Sequence, residues 1–264
     1  MTSPEWFDED DSTSHSDSQT DSSESEIEPP QDSNGNYIYS FIEASRGFTR
    51  HEVYETCFLL RQKRLPAELA ALILNHAQYW VDTTYQRGDG ITITQDFGGR
   101  GGDERYLHTA PIGADGLTGL RPVKRVVFTI ESRDQGWSSY PDEHGTYTGS
   151  WTWFEAQKGD PSILEEEEVA SDGQQQDQHA DNDARDPAEL PLRPEGREIV
   201  RNIHAGKSWH KHVISWAADD EDHGEWVREI RRGEVIILSA HARFPGWANR
   251  VKSAKITVYT AAIR

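Results

Sequence analysis

The chain has 264 residues, of which 34% are hydrophobic, with one cysteine and a formal net charge of −19. The hydrophobic share falls below the roughly 45–50% (glycine included) of a wholly folded chain, and Cys57 alone excludes an intrachain disulfide. Residues 1–45 hold twelve acidic and no basic residues, residues 160–198 hold thirteen acidic against three basic, and the remainder is nearly neutral. The acidity therefore belongs to two segments and does not describe a binding face.

The first of these, residues 1–36, contains "DEDDSTSHSDSQTDSSESE". It has no apolar period and repels itself, so it is predicted to be a disordered acidic leader. Ser14, Ser18, Ser23 and Ser25 each have Asp or Glu three residues later, a pattern that suits acid-directed kinases. Trp6 and Phe7 beside acids have the layout of a short partner-binding motif. No apolar h-region follows the start, and no run approaches the roughly 20 apolar residues of a spanning helix. With no disulfide, this predicts a cytoplasmic or nuclear protein away from membranes.

Residues 37–85 read as a helical hairpin packed on the domain C-terminal to it. "TRHE" (Thr49 to Glu52) is a capping box, after which Val53, Cys57 and Leu60 recur at helical spacing. Pro66 suits the first turn of a second helix. Leu65, Leu69, Leu72, Ile73 and Trp80 are expected to form its apolar stripe, facing the next domain. The helices are placed at about 49–63 and 66–80.

From about residue 91 the period changes to two. "ITITQ", "RYLHT" and "PVKRVVFTIES" are strands, the last with Val126, Phe128 and Ile130 on one face. "GTYTGSWTWFEA" alternates Tyr147, Gly149, Trp151 and Trp153 against small polar residues, which predicts that Trp151 and Trp153 are core. A second acidic stretch, about 160–196, reads as a disordered insertion, tolerated because closure entropy grows only logarithmically with length. "HKHVISWAA", "EVIILSAHARF" and "AKITVYTAAI" come after it; Val235 to Leu238 is apolar on both faces and should be central. Residues 86–264 are thus predicted to form a mainly β domain, an antiparallel β-sandwich or jelly roll interrupted by the acidic loop.

Two segments carry a resemblance: "RPVKRVVFTIESRDQGWSSYPDEHGTYTGSWTWFEA" and "WHKHVISWAADDEDHGEWVREIRRGEVIILSAHARFPGWANRVKSAKITVY". Together with the preceding helix "RLPAELAALILNHAQYW", they resemble a family of uncharacterised proteins from filamentous fungi. The ending "ARFPGWANRVKSAKITV" is similar to the close of F-box-associated domains, where a Gly-Trp turn precedes the last strand of a galactose-binding-like sandwich. That likeness implies a recognition module for a glycan or a protein, not a catalyst. "LPAELAALIL" is also similar to the opening of an F-box, which implies a ubiquitin-ligase adaptor. It departs from that pattern because strands begin about ten residues after Trp80.

Little in the sequence points to catalysis. No nucleophile elbow, P-loop or dinucleotide fingerprint occurs, and "DFGGRGGDER" lacks the Lys and helix of a phosphate loop. "HKH" places His210 and His212 on one strand face near His204, too few ligands to predict a metal. "DDEDHGE" (Asp219 to Glu225) reads as a solvated hairpin tip. No concentrated basic patch predicts nucleic-acid binding. No cofactor is expected.

"SRDQGWSSYP" ends one strand and "FPGWANR" ends another. If the two loops meet at one end of the sandwich, Arg133, Asp134, Gln135, Trp137, Trp247 and Asn249 form either a ligand rim or a structural clamp. As a rim, an indole would cover a sugar face while amides and the carboxylate read its hydroxyls. The expectation is a non-enzymatic recognition module for a glycan or protein segment. The alternatives are an adaptor using the 49–80 helices, a scaffold working through its acidic segments, or a small hydrolase using His204, His210 or His212.

Overall fold

The computed structural model describes residues 47–114, 119–164 and 196–261. The leader at 1–36, with its serines and Trp6–Phe7, lies outside these residues, as does all of the acidic insertion except its ends. Of those ends, Pro161–Leu164 is a short 3₁₀ turn.

Two helices come first, α1 (Arg50–Gln62) and α2 (Ala67–His76). The capping box is present: Thr49 N–H donates to Glu52 Oε2 at 2.8 Å, and Glu52 N–H donates to Thr49 Oγ1 at 3.3 Å. Pro66 is the N-cap of α2. Val53 and Cys57 of α1 meet Ala70 and Leu74 of α2 in a small core of their own, joined by Val81. Here the stripe differs from the sequence expectation. Leu69, Leu72 and Ile73 are exposed, and Ala70, Ala71 and Leu74 are buried instead. Ala70 and Leu74 supply the face that meets α1, and the bulkier neighbours lie outward.

Nine strands come after the helices among the described residues: β1 (Val81–Arg87), β2 (Ile91–Thr94), β3 (Asp103–His108), β4 (Val123–Arg133), β5 (Thr152–Gly159), β6 (Arg197–Arg201), β7 (His210–Ala217), β8 (Val235–Ala242) and β9 (Ala248–Thr260). They form two antiparallel sheets, so the β-sandwich expected from the sequence is the fold. In the five-stranded sheet, β1 and β2 share one edge of β9: Val81–Arg87 lies opposite 254–260 and Ile91–Thr94 opposite 248–251. The order then continues through β4 to β7. The other sheet runs β3-β8-β5-β6.

The core is the sequence pattern made physical. Val126, Phe128 and Ile130 of β4 are fully buried, against Phe154, Ile236 and Leu238 of the facing sheet. Every residue of β8 is buried, as expected for the apolar central strand. The "DDEDHGE" stretch is solvated, with Asp219, Glu221, Asp222 and Glu225 exposed, but it is not a hairpin tip, since β7 and β8 lie in different sheets. It leads into a short helix α3 (Gly224–Glu229), whose Trp226 packs edge-on against Trp216 at 4.9 Å and closes that end of the core.

Strand β5 departs from its predicted face. Thr152, Phe154 and Ala156 point inward, while Trp151 is 42% exposed and Trp153 is half-buried on the outer side. The strand starts only at Thr152, so the alternation from Tyr147 onward runs through a loop. Space between the sheets suits Thr and Ala better than two indoles.

Candidate functional site

Four connections gather at one end of the sandwich, because the strands that bound them end in register. Arg133 of β4 pairs with Arg250 of β9, Ser132 with His210 of β7, Thr152 of β5 with Ala242 of β8, and Asp103 of β3 with His241. The loops at 95–102, 134–151, 202–209 and 243–247 therefore share this end. The insertion departs after Leu164 and returns at Gly196, beyond the opposite ends of β5 and β6.

A buried amide network lies just beneath these loops. Ser132 Oγ–H donates to Asn202 Oδ1 at 2.7 Å; Asn202 Nδ2 donates to Thr152 Oγ1 at 3.0 Å and to Asn249 Oδ1 at 2.9 Å. Asn249 Nδ2 donates to the carbonyls of Trp153 and His241, both at 3.1 Å. Ser132, Thr152, Asn202 and Asn249 are wholly inaccessible. Satisfied buried amides are stronger in this low-dielectric setting, and this set ties both sheets together. Asn249 is thus part of the clamp, with none of its side chain at the surface.

Asp134 acts the same way. It is buried, with Oδ1 accepting from Gly136 N–H and Oδ2 from Ala205 N–H, each at 2.7 Å. Burial pushes its carboxyl above the usual range, against the pull of those two donors and of His204 and His144. The bond to Gly136, at φ +86, closes the turn, and the bond to Ala205 fixes a left-handed residue at φ +56. Gln135 bridges the loops. Its Nε2 donates to the Trp137 carbonyl at 2.8 Å, and its Oε1 accepts from Ala248 N–H at 3.2 Å.

The two Gly-Trp turns do meet, since a Cβ on Gly246 would lie 4.0 Å from the Trp137 ring. Trp137 is 61% exposed. Trp247 is half-buried, tilted over the His204 ring at 5.2 Å. Arg133 separates from the group. Its guanidinium stacks on Trp209 at 4.7 Å and donates to the Lys207 carbonyl, on the outer face of the five-stranded sheet.

The same end exposes Phe97, Tyr140 and Phe244, which the sequence reading did not select, and Trp151, which it placed in the core. Trp151 and Phe244 meet edge-on at 4.8 Å. Phe244 sits at φ +67, a conformation that costs a non-glycine residue energy. The one sequence signal was its place two residues before Gly246.

The histidines do not converge on a metal: among the described residues no group of three or more His, Cys, Asp or Glu is placed to hold one. The His210 and His212 rings lie 6.5 Å apart. His204 is fully buried, its Nδ1–H donating to the Thr148 carbonyl at 3.0 Å. His241, not anticipated from sequence, lies 2.6 Å from Asp103, which Arg243 also contacts at 3.2 Å. Burial raises the Asp103 carboxyl, but its hydrogen bond from His241 and the Arg243 charge leave it below the ordinary range. Trp153 covers this imidazole in a 5.0 Å stack, beside the Asp103–Arg243 ion pair on the outer sheet face.

Comparison with family models, curated proteins and solved structures finds no match for this chain.

Proposed function

We propose that the protein is a non-catalytic recognition module that holds a glycan or a protein segment against the aromatic end of its sandwich. One observation carries this reading. Trp137 projects into solvent from a turn whose backbone is pinned on both sides, by Asp134 to Ala205 and by Gln135 to Ala248. A side chain as costly to leave exposed as Trp, on so constrained a turn, is a preorganised platform. Tyr140, Trp151 and Phe244 extend the apolar surface around it. The likeness of the closing segment to F-box-associated domains supports the same assignment.

The test is binding of the full chain to a glycan panel and to a displayed peptide library, with wild type and Trp137→Ala. Binding should weaken at least about tenfold, as for an aromatic anchor, while the thermal midpoint stays unchanged. Retained binding, or a midpoint that falls in parallel, would remove Trp137 from the site.

A second reading has its own observation. Phe58 is 61% and Leu72 63% exposed, with Leu59, Leu69 and Ile73 also open on the helical pair. Such a patch fits docking to a protein, and the F-box-like "LPAELAALIL" directs that reading to a ubiquitin-ligase scaffold. It requires that the purified scaffold adaptor bind wild type and not Leu72→Asp. Equal binding by both, or by neither, would dismiss it.

A further inference from the structure

A row of side chains crosses the outer face of the five-stranded sheet: Thr92 of β2, Arg250 of β9 and Arg133 of β4, in direct register, with Trp209 beside Arg133. Residues directly opposite in antiparallel strands share a face, so the two arginines stand on one face, and both line the same groove. They line an open groove of about 350 Å³ with Lys252, and the turn at Gly88 and Gly90 forms its far wall. That turn lies close over β9, since a Cβ on Gly90 would sit 3.3 Å from the Val251 carbonyl.

The charges here do not balance. Like charges directly opposite destabilise a sheet, yet among the described residues neither arginine has a carboxylate partner. Arg133 donates to the Lys207 carbonyl, and the Arg250 side chain makes no hydrogen bond or ion pair there. The Nε of each is inaccessible and without an acceptor. The two nearby carboxylates are already engaged: Glu131 by Lys252 at 2.6 Å, and Asp89 by Arg87 at 2.8–3.0 Å. A buried donor without an acceptor costs stability unless something supplies one.

We propose that this groove binds a phosphate-type dianion, held by the adjacent Arg133 and Arg250 forks, on a ligand whose flat or apolar part lies along Trp209. Two guanidiniums lining one groove match a doubly charged tetrahedral oxyanion better than a single carboxylate, because each positive charge then faces a negative one. Trp209 is already oriented by its stack with Arg133 and offers the rest of its ring to the ligand. The groove opens on the outer sheet face next to the Gly-Trp end: Lys207, whose carbonyl accepts from Arg133, also lies under Gly136, where a Cβ would come 3.0 Å from its Cγ.

The test is a titration of the full chain with inorganic phosphate, with acetate as the monoanion control, monitored by nitrogen–proton NMR. The signals to watch are the Trp209 indole N–H, assigned by its loss in Trp209→Phe, and the two arginine Nε–H groups. Saturable shifts confined to these groups, stronger for phosphate than for acetate, support the site. O-phosphoserine and glucose 6-phosphate then distinguish a peptide-borne from a sugar-borne phosphate. Arg250→Gln should weaken phosphate binding about tenfold, the loss of one charge-assisted contact, while its unliganded thermal midpoint does not fall. Thr92→Asp offers a second variant: a carboxylate opposite Arg250 should raise the midpoint and abolish phosphate binding. Shifts that do not saturate, that are as strong in Arg250→Gln as in wild type, that persist in Thr92→Asp, or that are equal for acetate would overturn the proposal.

Discussion

His212 makes the protein acid-sensitive through one ring. It lies on β7 with its side chain almost fully buried and its Nε2 without a partner. Burial, with a smaller push from the His210 charge, lowers its pKa to about 4. In the unfolded chain the ring titrates near 6.5. Below that pH the unfolded state takes up a proton that the folded state refuses, so stability falls as pH drops and levels off below about 4. The loss works out at about 2 kcal/mol between pH 7 and pH 5, and about 3 kcal/mol in all. His210 and His223, also lowered by burial, act in the same direction. Asp134, raised by burial, acts oppositely: its folded form binds a proton more readily, so its contribution improves as pH falls. Carboxyls held low, such as Asp103, lose stability only below the unfolded carboxyl range. Urea unfolding of wild type and His212→Gln at pH 7, 6 and 5 isolates the effect. The wild-type free energy should fall more steeply by up to about 1.4 kcal/mol per pH unit, the linkage of one proton. Parallel profiles would show that His212 is not buried neutral.

Two further substitutions test the packing of the sandwich and its clamp. Trp151→Ala, at an exposed edge contact with Phe244, should cost no more than about 1 kcal/mol by urea unfolding, whereas Phe154→Ala in the core should cost about 3–5 kcal/mol. Equal losses would put Trp151 back inside. Asn249→Ala strips an acceptor from Asn202 and a donor from two carbonyls, so it should cost about 2–4 kcal/mol despite removing few atoms. A loss below about 1 kcal/mol would mean the network contributes little.

How much was legible depends on range. The capping box and the inward triad Val126, Phe128, Ile130 are local patterns, and each is where the sequence places it. Strand β5 was misread because hydrophobicity alone ranks Trp151 above Thr152, while the gap between sheets selects by volume. The helix stripe failed for a related reason. A two-helix unit this short has an inner face only a few residues wide, and Ala70, Ala71 and Leu74 fill it. Of the six predicted site residues, Asp134 was the one whose local role, closing a turn onto Gly136, the sequence could show. It could not show that Asp134 also holds Ala205, or that Asn249 meets Asn202 across the sandwich. The Arg133–Arg250 pair needs the β4–β9 register, which no run of residues reveals.

The two ends of the sandwich are closed by different physics, and that difference bears on the recognition proposed for the Gly-Trp end. At the far end, α3 folds Trp226 onto Trp216, a hydrophobic plug. At the Gly-Trp end, buried amides and Asp134 join the sheets and loops. A hydrophobic plug would have drawn the aromatics inward. Directional hydrogen bonds close the core without them, and so leave Trp137, Tyr140 and Phe244 outside on anchored backbone. On the proposed reading the clamp and the rim are therefore complementary: the buried side chains that hold the loops leave their aromatic neighbours free to face a ligand.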